Sequence, residues 1–141
     1  MPGEFEHNGI RFQYPENWQL EREDTDSGWT VTLQSPGTAF FMLSLNEEVP
    51  CNEEMAEAAL EAFREVYPDL EYDERVDSLA GQPALGHDMR FTSLDLTSTC
   101  WTRSCYSSNG TVLVLCQLDD QELEVHEPVL RAICASLTLD D

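Results

Sequence analysis

The sequence predicts an α+β domain built on a central antiparallel sheet of about six to seven strands with two main helices, and three observations carry that reading. Apolar residues alternate with polar ones in separate runs, as at Ile10, Phe12 and Tyr14 or Trp29, Val31 and Leu33, the mark of strands with one buried face. Short turn-forming stretches join many of these runs, which suits hairpins and not the crossover helices of a parallel sheet. Helical spacing of apolar residues occurs in two segments, one mid-chain and one at the end. The expected order is three strands, a helix, four strands and a helix.

Ile10 to Tyr14 forms the first strand, and Pro15 stops it. After the turn Pro15-Glu16-Asn17, Trp18 and Leu20 resume the same face in a second extended piece that pins an aromatic over the sheet. Trp29 to Leu33 alternates again, Ser35-Pro36-Gly37-Thr38 turns the chain, and Ala39 to Leu45 is nearly continuous apolar sequence, expected of a strand covered on both sides. Asn52 is the expected N-cap of a helix from Glu53 to Tyr67, with Ala56, Ala59, Leu60, Phe63 and Tyr67 on one face and Pro68 ending it. Tyr72 to Leu79 and Ala84 to Ser93 are strands separated by Ala80-Gly81-Gln82-Pro83. Thr97 to Ser108 and Thr111 to Leu118 flank Asn109-Gly110, which favours a two-residue type I′ turn. Setting Ser108 opposite Thr111 places Trp101, Arg103 and Cys105 on the face of Val114, Cys116 and Leu118, with Cys105 and Cys116 diagonal neighbours poorly placed for a disulfide. Val129, Leu130, Ile133, Cys134 and Leu137 mark the last helix, which starts near Glu127 so that Pro128 sits in its first turn.

The 141 residues suit one domain spanning the whole chain, and no linker, repeat or low-complexity run divides it; disorder is confined to a few terminal residues. The opening MPGEFEHNG has neither a basic segment nor an apolar run, so the expected location is the cytoplasm. Five cysteines at irregular spacing, without a CxxC pair, are expected to be reduced and mostly buried. There are 28 acidic residues against seven arginines and no lysine, a formal net charge of −21, and no Arg lies within eight residues of another. Nucleic acid is excluded on that ground, since a phosphate backbone needs clustered cations. The acidity fits either a solubility or high-salt adaptation or recognition of a basic protein partner.

Catalytic chemistry is thin. His7, His87 and His126 lie in three different elements, with no Cys closer than eight residues to any of them, so no nucleophile and base are paired in sequence; each is expected at the surface or at a satisfied edge. No HxxxH, DxDxDG or phosphate-binding glycine loop occurs, and no cofactor or metal is expected. One surface arrangement stands out: Glu53, Glu57, Glu61 and Glu65 recur at every fourth residue and form an acidic stripe on one helix face. It is either a solvated outer face or a docking stripe for a partner.

The segments IRFQYPENWQLE, TVTLQSPGTAFFMLSL, the Glu-rich helix and VLRAICASL together resemble the PsbP-like superfamily, which includes the photosystem II extrinsic subunit, a Ran-binding import factor, DcrB-like proteins and the Eag chaperones of type VI secretion. The resemblance implies an α/β/α sandwich around an antiparallel sheet, with Tyr14, Pro15 and Trp18 as fold residues. It also implies an adaptor, chaperone or assembly factor and not an enzyme, although function does not travel with a fold. The expected function is therefore a non-enzymatic cytoplasmic protein-interaction module. The alternative is a small-ligand binder or enzyme whose site assembles from scattered residues such as Trp101, Arg103, His87 and Tyr106.

Overall fold

The computed structural model describes residues 3–93 and 95–139; the extreme ends, to which the sequence confines disorder, lie outside the described residues. The strands are β1 (Gly3–His7), β2 (Ile10–Tyr14), β3 (Gln19–Thr25), β4 (Gly28–Gln34), β5 (Phe40–Asn46), β6 (Glu71–Leu79), β7 (Gln82–Ser93), β8 (Leu96–Ser107), β9 (Gly110–Asp119) and β10 (Thr138–Leu139), with helices α1 (Asn52–Val66) and α2 (Leu123–Ser136). Seven strands form the main sheet in the order β3-β4-β5-β9-β8-β7-β6, and β1, β2 and β10 form a second sheet of three. The strand pairs are antiparallel.

Alternation along the strands sorts the core into two layers. Met89, Phe91, Cys100 and Leu115 meet Leu60 and Phe63 of α1, and Tyr67 just past its end, on one face. On the other, Val31, Phe41, Val114 and Cys116 meet Phe5 and Phe12 of the β1–β2 hairpin and Leu130 and Ile133 of α2. The result is an α/β/α sandwich whose second helical layer is shared with a hairpin. Aromatic rings bind the hairpin down: Phe5 stacks on Phe12 at 5.0 Å, and Phe12 meets Phe41 at 5.2 Å. The clustered aromatics at the start of the chain are thereby explained. Phe12 is buried under the hairpin, the Trp18 amide donates to the Pro15 carbonyl at 3.1 Å to close the turn, and the Trp18 ring meets His126 of α2 edge-on.

Several details depart from the expectations. Strands β1 and β3 were not foreseen as such. In β1 only Phe5 is buried, and β3 is an edge strand whose residues are exposed except Leu20, so neither carries the alternation that reveals a strand. The N-cap is Cys51 and not Asn52; the Asn52 side chain instead accepts a hydrogen bond from the Ser104 hydroxyl at 2.9 Å, tying the helix start to β8.

The Asn109-Gly110 hairpin pairs Ser107 with Gly110, so its loop is Ser108-Asn109 and its register differs by two from the expected one. Gly110 has φ +152°, a backbone conformation that residues with a side chain rarely adopt, and a β-carbon there would clash with the Asn46 carbonyl. This glycine therefore serves close strand approach, and the turn uses other residues. Left-handed residue pairs of the primed-turn kind occur at Asn8-Gly9 and Ala80-Gly81. The two-residue shift keeps every side chain on its expected face. It also removes Cys105 from Cys116: Cys105 pairs with Val112 and Cys116 with Trp101.

Helix α2 begins at Leu123, so Pro128 lies inside it and not in its first turn. The lost hydrogen bond is tolerated because the preceding turn is held from outside. One Glu122 carboxylate oxygen accepts from the Thr38 amide at 2.7 Å and its hydroxyl at 2.6 Å, and the other meets His126 Nδ1 at 2.7 Å.

Two outcomes are expected. Trp18 is 5% exposed, so Trp18→Ala should lose about 3–5 kcal/mol in denaturant unfolding; a loss below about 1 kcal/mol, typical of surface positions, contradicts its anchoring role. The hydrogen bonds from Thr38, and secondarily His126, hold the Glu122 carboxyl below its ordinary value. A depressed folded-state value contributes stability above the unfolded pKa of about 4.3, and that stability is lost as pH falls through the folded value. Glu122→Gln should accordingly flatten the acid limb of stability against pH in urea titrations, and parallel curves for the two proteins would remove this role.

Candidate protein-interaction surface

Helix α1 is amphipathic because alanine and leucine fill one side and carboxylates the other. Ala56 and Leu60 are buried, whereas Glu53, Glu57, Glu61 and Glu65 are all exposed. The stripe expected from spacing therefore exists as an outer helix face. Glu61 is partly neutralised by Arg64, whose Nη1 donates at 3.1 Å.

Edge strand β6 extends this face sideways. It pairs with β7 alone, placing Tyr72 opposite Met89, Glu74 opposite His87 and Val76 opposite Leu85. Met89 belongs to the α1 layer, so Tyr72, Glu74 and Val76 point to the α1 side by alternation. Tyr72 is 46% and Val76 74% exposed. The Arg64 guanidinium lies 5.8 Å from the Tyr72 ring. Helix and strand thus build an acidic shelf with two apolar side chains standing on it.

His87 forms the floor of the shelf. It was expected at the surface or at a satisfied edge; it is buried at 3% exposure, because β7 is an interior strand roofed by α1. Its Nε2 is 4.0 Å from Glu57 Oε1, its ring meets Tyr72 edge-on at 5.8 Å, and its buried Nδ1 has no protein hydrogen-bond partner. The neighbouring Gly86 passes so close to the Thr102 carbonyl of β8 that a β-carbon would clash there.

The scattered set considered as an enzymatic or ligand site does not converge. Strand alternation puts His87 and Tyr106 on the α1 side, where the Tyr106 hydroxyl accepts from the Asn52 amide at 3.2 Å. Trp101 and Arg103 lie on the opposite face, since Trp101 pairs with Cys116 of the other core layer. Arg103 is engaged by Asp77, at 3.1 Å to both oxygens, and by Asp88 at 3.0 Å.

Residues distant in sequence do meet on that second face. Arg75, Arg90 and Arg131 line an open cleft of about 360 Å³ with Trp101 and Asp88. Each also has a carboxylate neighbour: Arg75 with Asp88, Arg90 with Asp120 and Arg131 with Glu127. Chain spacing could not reveal this gathering, which depends on β6, β7 and β8 being adjacent. Among the described residues, no group of three or more His, Cys, Asp or Glu is placed to hold a metal ion, and no helix is long and apolar enough to cross a membrane.

No protein-family profile matches the sequence, and no curated protein resembles it significantly in sequence. Solved structures do resemble it in shape. Cyanobacterial PsbP (CyanoP) from Synechocystis sp. PCC 6803 superposes with a TM-score of 0.66 at 10% identity, covering 99% of this chain and 92% of that one. The fold is PsbP-like. LpqN of Mycobacterium tuberculosis, involved in cell envelope biogenesis, aligns with a TM-score of 0.58 at 13% identity over 100% of this chain and 90% of its own. PA94, a protein of unknown function from Pseudomonas aeruginosa, aligns at 0.59 and 12% identity over 99% and 98%.

Within this PsbP-like fold the opening segment has a second aspect. Trp18 is buried, but Tyr14 and Pro15 are half-buried and, with Pro128, Val129 and Ala132 of α2, line a shallow apolar groove of about 390 Å³. Both the shelf and this groove are exposed surfaces that carry apolar side chains.

The unpartnered Nδ1 of His87 makes a specific expectation. If the imidazole only fills space, His87→Leu should leave stability level or raise it by up to about 1 kcal/mol, because a buried unpaired polar atom is removed. A loss above about 2 kcal/mol in urea unfolding would show that this nitrogen has a partner.

Proposed function

We propose that this chain is a non-enzymatic, cytoplasmic protein-interaction module, an adaptor, chaperone or assembly factor, that presents the α1–β6 shelf to a basic segment of a protein partner. The observation that carries this reading is the juxtaposition of Tyr72 and Val76, large and exposed, with the carboxylates of Glu57, Glu61 and Glu74. Exposed apolar side chains supply contact area, and surrounding like charges select and steer a partner of opposite sign. Glu53 and Glu65 extend the field along the helix. A protein is favoured over nucleic acid because the clustered arginines on the far face are already matched with carboxylates. The split of Trp101 and Arg103 from His87 and Tyr106 weighs against the small-ligand or enzymatic alternative. Five free thiols, three of them buried, support a reducing compartment.

The test compares the wild-type chain with Glu57→Gln/Glu61→Gln/Glu65→Gln and, separately, Val76→Asp. Both variants should fold. The triple variant should be as stable as wild type or slightly more so, by a few tenths of a kcal/mol for each like-charge pair relieved. Partners recovered from the native organism at low salt should bind the triple variant more slowly and with a flatter salt dependence, and should be lost with Val76→Asp. Equal recovery by all three proteins overturns the assignment and directs attention to the groove between Tyr14 and α2.

A further inference from the structure

On the face of the sheet opposite α1, two thiols that stand 18 positions apart in the chain bring their sulfurs to 3.7 Å. Cys116 projects from β9 and is wholly buried, whereas Cys134 on α2 is half-buried. We propose that Cys116 and Cys134 form a reversible dithiol–disulfide couple, in which Cys134 reacts first with a hydroperoxide and Cys116 then resolves it.

Access and charge favour that order. Cys134 borders an open cleft of about 630 Å³, lined also by Ser78, Leu79, Arg131 and Ala135, which admits a small oxidant. Two guanidiniums lie close by: Arg131 on the same helix, which rests on the Trp101 ring and pairs with Glu127, and Arg103 from β8, which pairs with Asp77 and Asp88. The hydrogen bond from the Cys116 thiol holds Cys134 below its ordinary value against the opposing effect of burial, and Arg131 and Arg103 assist. Burial pushes Cys116 well above the usual thiol range. Cys134 is therefore the more readily ionised of the two and Cys116 the one that keeps its proton, the division that peroxide chemistry needs. Burial also raises Cys100, and pushes Cys105 up to about 11, which leaves both unreactive.

The chemistry balances. The Cys134 thiolate attacks one peroxide oxygen and breaks the O–O bond; Cys134 becomes a sulfenic acid, and the departing alkoxide or hydroxide takes a proton from water. The Cys116 sulfur, giving up its proton, then attacks the Cys134 sulfur and displaces hydroxide, which leaves as water. Two electrons pass from the thiols to the peroxide, and the products are a disulfide, an alcohol or water, and one further water. Closing the bond requires the sulfurs to approach from 3.7 Å to about 2.05 Å. This is a side-chain movement across one helix–sheet contact.

The whole reduced chain is exposed to a few equivalents of hydrogen peroxide, alkylated under denaturing, non-reducing conditions and digested with trypsin. Cleavage after Arg103 and Arg131 separates Cys116, which shares peptide 104–131 with Cys105, from Cys134 in peptide 132–141, and fragmentation of the linked pair tells Cys116 from Cys105. The expected product is these two peptides joined through Cys116 and Cys134, with Cys51, Cys100 and Cys105 alkylated, and with the link reversed by dithiothreitol. Cys116→Ser should leave Cys134 as a sulfenic acid trapped by dimedone, and Cys134→Ser should abolish the rapid reaction. A second measurement needs no variant: in the native protein near pH 7, Cys134 should alkylate at least about tenfold faster than Cys51, the other half-buried thiol. The proposal is overturned if Cys51 oxidises or alkylates first, if the link runs through Cys105, or if Cys134 goes on to sulfinic acid while Cys116 remains a free thiol.

Discussion

Strand β9 is buried along almost its whole length, and a strand buried on both faces obliges the chain to supply two covering layers. Helix α1 provides one, and the β1–β2 hairpin with α2 the other. A helix is about 10 Å across and strands are about 4.8 Å apart, so one helix roofs two or three strands. The sheet has seven. On the α1 side it therefore overhangs in both directions. The overhang near β3 is made polar by Gln19, Glu21, Thr32 and Gln34, while the overhang at β6 carries Tyr72 and Val76 beside carboxylates. The shelf is a consequence of the mismatch in width between one helix and a wide sheet. On the opposite face the hairpin closes the gap, and its phenylalanines sit where a second helix would leave a void.

Most elements that bury a regular set of side chains were legible in the sequence, and β1 and β3, which bury little, were missed; β6 was foreseen as Tyr72 to Leu79 from its turn-bounded pattern although only Leu79 is buried. Ile10 to Tyr14, Trp29 to Leu33 and Ala39 to Leu45 announced themselves by their pattern, as did the apolar stripes of both helices. Strand β3 buries almost nothing, and its existence follows only from pairing with β4. The dipeptide Asn-Gly occurs twice with different outcomes. At Asn8-Gly9 it makes the left-handed two-residue turn, while at Asn109-Gly110 the approach of the Asn46 backbone takes the glycine into the strand. Tertiary contact overrode turn preference there, and again at Pro128, where the Thr38–Glu122–His126 linkage holds a helical turn that local sequence argues against.

The candidate sites divide along the same line. The Glu53, Glu57, Glu61 and Glu65 stripe was legible because helical spacing fixes a face without reference to the rest of the fold. Its companions on β6 depend on sheet order, which places a distant segment beside α1. The Cys116–Cys134 contact demanded both the hairpin register and the docking of α2. An error of two residues in register kept each side chain on its proper face and still named the wrong neighbour for Cys116.

The seven-stranded sheet ends in β3 and β6, whose outer backbone groups have no strand beside them among the described residues. Both carry dense acid: Glu21, Glu23 and Asp24 on one, Glu71, Asp73, Glu74 and Asp77 on the other. Like charges there repel another copy that would otherwise extend the sheet. This protection is electrostatic and not steric, so it depends on the carboxylates staying ionised. Near the pI of about 4.1 net repulsion between molecules vanishes while the backbone edges remain free to pair. Acidification thereby turns the best-guarded borders of the fold into templates for intermolecular strands.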